Sequence, residues 1–392
     1  MKAERERSGK TNILLLGIVS FLNDLSSEMI MPILPMFITA LGGGGLVVGL
    51  VGGVRESVSS ILKVLCGYWS DRSGRRKPFV VWGYVFSAVF KFLLAFSKVW
   101  PHVLIFSGLE RVGKGMRTAP RDAIIAESMP AERGKGFGIH RAMDTAGAIA
   151  GSLLVFLLFW FWGIGFKTII LLAAAIALSS LLPLHFVNER RREPQDITLK
   201  ISLEGLPRGL RSFILVSGVF ALANFSYMFF ILQAQTAFSG KAAVGIPIFL
   251  YVIFNVAYTV LAIPFGVLSD RIGRRKVLIM GYLLFALTSL GFSLFRSAVA
   301  FLVLFVLYGM VYAMVEGNQR AFVSDLSPEE LKATALGTFH TVVGIAALPG
   351  SLIAGLLWQK VSPFATFLYG ALLAFLSVLL FASLWGSFER RG

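Results

Sequence analysis

Long apolar runs, separated by short polar segments, extend over almost the whole 392-residue chain. A helix that crosses a bilayer needs about 20 consecutive, mostly apolar residues. Twelve segments meet that requirement: 12–40, 46–70, 78–98, 101–125, 133–160, 165–187, 209–237, 243–269, 277–296, 299–323, 331–357 and 362–386. The pattern therefore predicts an all-α membrane protein with twelve transmembrane helices.

A polar segment that occurs twice indicates an internal duplication. Residues 67–77 read GYWSDRSGRRK and residues 266–276 read GVLSDRIGRRK, an offset of 199 residues. Similarity at half the chain length predicts two similar halves, as in transporters built from repeats. We expect an N-terminal six-helix bundle over 1–187, a linker over 188–208 and a C-terminal six-helix bundle over 209–392.

The composition agrees with a membrane protein, and the charge predicts its orientation. The chain is 56% hydrophobic and 15% charged, with a net charge of +16. The basic residues concentrate in alternate loops, which is the excess expected on the cytoplasmic side of a membrane. We therefore expect a multi-pass protein of the cell membrane with both termini and the linker cytoplasmic, and no nucleic-acid partner. A single cysteine, Cys66, excludes an intramolecular disulfide and a multi-cysteine metal cluster.

The duplicated loop resembles the signature loop of the major facilitator superfamily, G-x-x-x-D-R-x-G-R-R-K. That resemblance implies two six-helix bundles, a central cavity and transport by alternating access. It also implies that the loop residues, together with Asp122 near the end of the fourth span, form conformational gates. The matching positions of the two copies are Gly67, Asp71, Arg72, Gly74, Arg75, Arg76 and Lys77, and Gly266, Asp270, Arg271, Gly273, Arg274, Arg275 and Lys276.

Two further motifs resemble those of drug/proton antiporters within this family. In the fourth span, Arg111 precedes Gly115 by four residues, as in the family's proton-coupling motif. In the fifth span, Gly138, Gly147 and Gly151 have the spacing of the antiporter signature, but Ser152 replaces its proline. The glycines are equally consistent with close packing of membrane helices.

Ionisable residues inside predicted spans are candidates for function, because each costs about 2.5–3.5 kcal/mol near the bilayer centre on insertion scales. Asp24 and Glu28 lie four residues apart on one face of the first span. Arg111 of the fourth span and Asp144 of the fifth are the other candidates. We expect these four residues to couple transport to protons, with Arg111 acting on the carboxyl groups.

Polar residues of the second half are mostly uncharged, which favours a role in binding a solute. The candidate substrate-binding residues are Arg55, Glu56, Arg141, Asn224, Tyr227, Tyr251 and Asn255. The first half would then handle protons, and the second would supply hydrogen bonds and aromatic surface.

These features favour a secondary transporter that exports small amphipathic molecules in exchange for protons. We expect a monomer that is not an enzyme and needs no cofactor or bound metal, since no nucleophile–base pair or nucleotide motif is present. Three alternatives remain: an importer or exchanger of organic anions that uses membrane-embedded arginines, a divalent-metal exporter, and a membrane receptor that does not transport.

Overall fold

The computed structural model describes residues 2–130, 132–189 and 201–384, and the described chain is almost entirely helical. Its α-helices are α1 (Lys2–Ile30), α2 (Leu34–Ala40), α3 (Gly45–Ser73), α4 (Lys77–Leu94), α5 (Trp100–Ser128), α6 (Arg133–Trp160), α7 (Phe166–Ser179), α8 (Leu181–His185), α9 (Arg208–Ala223), α10 (Met228–Gln235), α11 (Ala242–Ile272), α12 (Arg274–Leu294), α13 (Ala298–Leu326), α14 (Lys332–Lys360) and α15 (Pro363–Ser383). Most of the segment predicted as a linker, residues 190–200, lies outside the described residues.

Eleven helical segments of the described chain are long and apolar enough to cross a membrane. The remaining predicted span corresponds to α5, a 29-residue helix whose charged side chains set it apart in composition. Glu110, Arg111 and Arg117 of α5 are nevertheless buried against neighbouring helices, where ionisable residues of membrane proteins are tolerated. The prediction of an all-α fold with twelve transmembrane helices is confirmed.

Two predicted spans, the first of each half, are each broken into a long and a short helix. The first breaks at residues 31–33, between α1 and α2, where Pro32 removes a backbone donor. The seventh breaks at residues 224–227, between α9 and α10. Interruptions in matching segments of two repeats are typical of transporter binding sites, because unwound backbone at that depth must line a cavity or be buried in protein.

One compact unit comprises residues 1–37 and 58–198. Within it, α1 packs along α6 and α4 packs along α5, while α7 contacts both α1 and α4. Glycines allow the close approach of α1 and α6: a Cβ at Gly147 would lie 2.4 Å from the carbonyl oxygen of Phe21, and one at Gly151 would lie 2.2 Å from that of Leu25. These contacts fix the position of the polar face of α1 relative to α6.

The other compact unit comprises residues 38–57 and 199–392, and it repeats the same packing scheme. Here α9 packs along α14 and α12 packs along α13. Gly350 of α14, the repeat partner of Gly151, likewise approaches the backbone of Leu222 in α9. The core of this unit is aromatic: Phe220 stacks on Tyr282 at a ring-centroid separation of 3.9 Å, and Phe230 stacks on Tyr308 at 4.2 Å.

Candidate functional site

A carboxyl pair lies between α1 and α6. The side chains of Asp24 and Asp144 lie close enough to interact with each other. Two carboxylates in contact repel each other, which favours a proton on one of the two groups. The helix-packing glycines described above bring together two residues that are 120 positions apart in the sequence. The packing of α1 against α6 therefore joins the two acids in one site.

Three polar neighbours surround the pair and favour the negative charge that it retains. The hydroxyl of Ser20, one helical turn before Asp24, donates to Asp144 at 2.6 Å. The guanidinium of Arg141 lies 3.1 Å from the other oxygen of Asp144. Arg121 of α5 donates to the Ser20 hydroxyl at 3.2 Å, so a third helix reaches the same cluster. Opposite charges and donors at such distances stabilise the ionised form of a carboxyl group.

The side chain of Arg111 in α5 lies near the C-terminal end of α1, beside the break that precedes α2. Its Nε is 3.4 Å from Glu110, and its Nη2 lies 3.1 Å from the sulfur of Met31. Glu28 lies on the same turn of α1 as the break, three residues before Met31. The described contacts therefore place Asp24 and Asp144 together, with Arg111 at a neighbouring level of the same unit.

Lys91 is a charged residue of this unit that was not among the predicted site residues. Its side chain is only 1% exposed, and its ammonium group contacts α1 next to Asp24. The sequence contains a signal that could have found it, because Lys91 is the only Asp, Glu, Lys or Arg between Lys77 and Lys98. A single charge in the middle of an apolar span is expensive unless the fold provides partners for it.

In the second unit, several of the candidate substrate-binding residues gather near the break between α9 and α10. The rings of Tyr227 and Tyr251 lie 5.8 Å apart, and Asn224 and Glu56 both lie near the hydroxyl of Tyr312. Arg55, Tyr251 and Asn255 are buried, whereas Glu56 is exposed.

Tyrosine hydroxyls extend this polar aromatic surface along α11 and α13. Tyr258 donates to Glu316 at 2.7 Å, and Tyr308 donates to Tyr312 at 3.4 Å. Tyr258, Tyr308, Tyr312 and Glu316 were not among the predicted binding residues. The sequence signal that could have identified three of them is their spacing. Tyr308, Tyr312 and Glu316 are four residues apart and therefore lie on one face of α13.

The first basic loop forms a charged network in which Arg76 occupies the central position. Its guanidinium lies 2.7 Å from Asp71 and also pairs with Glu127 at the end of α5. Partial burial lowers the pKa of Arg76, but its hydrogen bonds to Asp71 and Glu127 outweigh this effect and raise the pKa above its ordinary value. Gly74 permits the reversal of the chain with a positive φ of 65°.

Other residues of this first loop have different surroundings. Arg75 and Arg72 are exposed, and Arg72 donates to Tyr68 at 3.1 Å. Asp122, which the resemblance assigns to the gate, pairs with Arg121 at 3.0 Å. The acid of α5 that meets the loop is Glu127.

The second basic loop forms the equivalent network with a different arginine. Arg274 pairs with Asp270 at 3.2 Å and also with Asp325 near the end of α13. Its neighbour Arg275 donates to the carbonyl oxygen of Phe381 at 2.8 Å. Gly273 has a φ of 96°, as its repeat partner Gly74 has a positive φ, and Arg271 is exposed. Each loop thus joins its own aspartate, one arginine and the far end of a neighbouring helix.

A metal site is not evident in the part of the chain that the structure describes. No group of three or more His, Cys, Asp or Glu side chains is arranged there to hold an ion.

Comparison with known proteins decides the family. The sequence model of the Major Facilitator Superfamily matches residues 16–251 and 213–390, which together span most of the chain. This chain belongs to the major facilitator superfamily. An uncharacterised MFS-type transporter of Methanocaldococcus jannaschii is 55% identical over 381 residues, covering 96% of both chains. The multidrug resistance protein MdtH of Aeromonas hydrophila is 23% identical over 363 residues, covering 90% of this chain and 89% of the relative.

Solved structures agree with this facilitator fold. A mutant of the nucleoside transporter NupG superposes with a TM-score of 0.80 at 16% identity, covering 96% of this chain and all of the other. A bacterial homologue of the human lysosomal transporter Spinster gives a TM-score of 0.75 at 15% identity. This major facilitator protein is therefore a multi-pass membrane transporter and not an enzyme.

Proposed function

We propose that the protein is a proton-coupled transporter that works by alternating access and exports small amphipathic molecules. The observation that carries this proposal is the close pair of Asp24 and Asp144. Two acids in contact repel each other when both are ionised, so the pair favours binding one proton and releases it when the surroundings stabilise the doubly charged state. Such a site, in the interior of a helical bundle, is a means of carrying a proton across the membrane.

The arrangement around the pair supports a coupling role rather than a static ion pair. Asp144 has partners enough to stay ionised, namely Arg141 and the hydroxyl of Ser20. Asp24 accepts a hydrogen bond from the side-chain amide of Asn23 at 3.3 Å and contacts Asp144. The proton therefore resides between an acid with strong partners and an acid with weaker ones. Movement of α1 relative to α6 would separate them and release it.

Three features support an amphipathic substrate and export. The second unit offers aromatic rings together with hydroxyl and amide groups at the break between α9 and α10. The spacing of Gly138, Gly147 and Gly151 resembles the antiporter signature, and MdtH, a distant relative, is described as a multidrug resistance protein. The two basic loops would then act as gates on the cytoplasmic side of the cell membrane, in a monomer whose termini face the cytoplasm.

Proton exchange in inside-out membrane vesicles tests the proposal. A fluorescent probe of the pH gradient should recover its signal when ethidium or tetraphenylphosphonium is added to energised vesicles that contain the protein. Asp24→Asn and Asp144→Asn should each abolish this recovery, because an amide cannot exchange the proton. Glu132→Gln is the matched control: it removes an exposed carboxylate that precedes α6 and pairs with Lys135, and it should transport like the wild type.

Two results would contradict the proposal. Full recovery in both aspartate variants would place the proton site elsewhere. If the wild-type protein takes up these cations equally fast with and without a pH gradient, transport is not coupled to protons.

A further inference from the structure

Lys91 of α4 is buried within the membrane-spanning part of the first unit, and the fold supplies specific partners for its charge. Its side chain is 1% exposed. Burial of an ammonium group removes its hydration, which is costly unless hydrogen bonds and opposite charges replace the lost water. The contacts that compensate Lys91 therefore show which part of the protein it serves.

All described hydrogen bonds of the Lys91 ammonium go to one turn of α1. It donates to the hydroxyls of Ser26 at 3.0 Å and Ser27 at 2.9 Å, and to the carbonyl oxygen of Asn23 at 3.5 Å. The Ser26 hydroxyl in turn donates to the carbonyl oxygen of Ala173 in α7 at 2.6 Å. Lys91 thus fixes the turn of α1 that begins with Asn23 and carries Asp24.

The connection from this turn to the carboxyl pair is direct. The side-chain amide of Asn23 donates to Asp24 at 3.3 Å, and Asp24 contacts Asp144. The buried side-chain oxygen of Asn23, Oδ1, has no hydrogen-bond partner among the described residues. In that part of the chain, the side chain of Asn23 therefore hydrogen-bonds to Asp24 alone.

The charges that face Lys91 come from two helices. Asp24 of α1 and Glu110 of α5 are the acids, and Arg111 and Arg117 of α5 are the cations. On α7 the only charged residue is Lys167, which lies over the ring of Phe96 beyond the end of α4. On α8, His185 contributes its backbone carbonyl to Lys77 at the other end of α4. Among the acids, only Asp24 belongs to the proposed proton site.

We propose that Lys91 is a positioning residue for the carboxyl pair and supplies the counter-charge when the pair releases its proton. This inference rests on the proposed function, in which Asp24 and Asp144 share that proton. With one proton bound, the pair carries a single negative charge, and release of the proton doubles it. An ammonium group held against the same turn of α1 adds to the charges of Lys114, Arg121 and Arg141 in stabilising the doubly charged state. Without Lys91, release of the proton requires a higher pH.

Infrared spectroscopy of the purified protein can test this role without any substrate. The protonated carboxyl group gives a carbonyl band that is lost in Asp24→Asn, and its disappearance with rising pH reports the release of the shared proton. In Lys91→Met the midpoint should move to higher pH by about one unit, because a nearby opposite charge shifts carboxyl titration by about one to three units. Lys91→Arg keeps the charge and should restore a midpoint near that of the wild type.

Two controls separate charge from simple packing. Lys98→Met removes an exposed lysine that follows α4 and should leave the midpoint unchanged. Ser27→Ala removes one acceptor of Lys91 but no charge, and it should shift the midpoint less than Lys91→Met does. If Lys91→Met does not fold, the double variant Asp24→Asn/Lys91→Met should recover expression, because it removes a facing acid together with the lysine.

The possible failures are distinguishable. An unchanged midpoint in Lys91→Met, with an Asp24-dependent band present, would overturn the role of Lys91 and leave the proton site intact. The absence of any Asp24-dependent band in the wild type would overturn the proton site and this inference with it. Failure of both Lys91→Met and the double variant to fold would show a purely structural lysine, which also contradicts the proposal.

Discussion

Adjacent arginines of the two basic loops have different partners, although the loops are near-identical in sequence. In the first loop Arg76 pairs with Asp71 and Glu127, while Arg75 is exposed. In the second loop Arg274 makes the corresponding pairs. The motif therefore provides two candidate cations at each loop, and the packing of the neighbouring helix ends selects one of them.

This difference predicts unequal effects of substitution within one motif. Arg76→Gln leaves Glu127 partly buried without its cation, which should cost about 1–3 kcal/mol, the usual range for loss of a charged hydrogen-bond partner. The melting temperature in detergent should fall accordingly. Arg75→Gln is the matched control and should change it little, since surface charges contribute about 0–1 kcal/mol. Equal losses in the two variants would show that the network described for Arg76 does not form.

At the scale of helices, the positions of the spans could be predicted from hydropathy, whereas the breaks within them could not. The run 12–40 reads as one span because Pro32 lies among apolar residues, and length alone does not reveal that α1 ends at Ile30. The span 101–125, which corresponds to α5, was predicted by the same length criterion although it carries several charged residues. Its burial against α4 and α6 makes that charge tolerable.

In the candidate site, too, some features could be predicted from the sequence and others depend on packing. Hydropathy and spacing identified Asp24 and Asp144 as unusual residues of two spans. Their contact depends on the approach of α1 and α6 through Gly147 and Gly151, which periodicity does not encode. Lys91 was detectable as a lone charge, but its partners Ser26 and Ser27 are ordinary residues of an apolar helix. The role of a side chain that acts through helix packing cannot be recognised from a single segment of the sequence.

The three signature glycines of α6 provide a test at this scale. Gly147→Ala and Gly151→Ala should each separate α1 from α6, because the added Cβ would lie within 2.4 Å of a backbone oxygen. Overpacking of this kind costs about 1–3 kcal/mol, and it should also weaken proton exchange by moving Asp24 away from Asp144. Both thermal stability and gradient-driven dye export measure the effect.

Gly138→Ala is the matched control for that test, since a Cβ there meets nothing within 4 Å. It should be neutral or stabilise the helix by up to about 1 kcal/mol, because alanine has the higher helix propensity. If all three alanine variants behave alike, the glycines do not define the α1–α6 contact.

At the scale of the whole molecule, the duplication and the charge asymmetry predict one orientation. Both basic loops are expected on the same side of the membrane, because the two halves are predicted as repeats of six spans each and an even number of spans separates equivalent loops. The excess of Lys and Arg predicts that this side is the cytoplasm. The carboxyl pair and Lys91 belong to the first repeat alone, so duplication of the fold has not produced duplication of the chemistry.

Cysteine labelling in intact cells tests this orientation. In a Cys66→Ala background, a membrane-impermeant maleimide should label Lys98→Cys and Arg296→Cys, which follow α4 and α12 and are exposed. Arg133→Cys, which begins α6, and Arg271→Cys in the second basic loop should react only after the membrane is permeabilised. The two halves act as controls for each other, since each contributes one position on either side. Labelling of Arg133→Cys in intact cells would reverse the orientation. If one half gave the expected labelling and the other half gave the reverse, the repeat of six spans would be contradicted, because an odd number of crossings would then separate the equivalent loops.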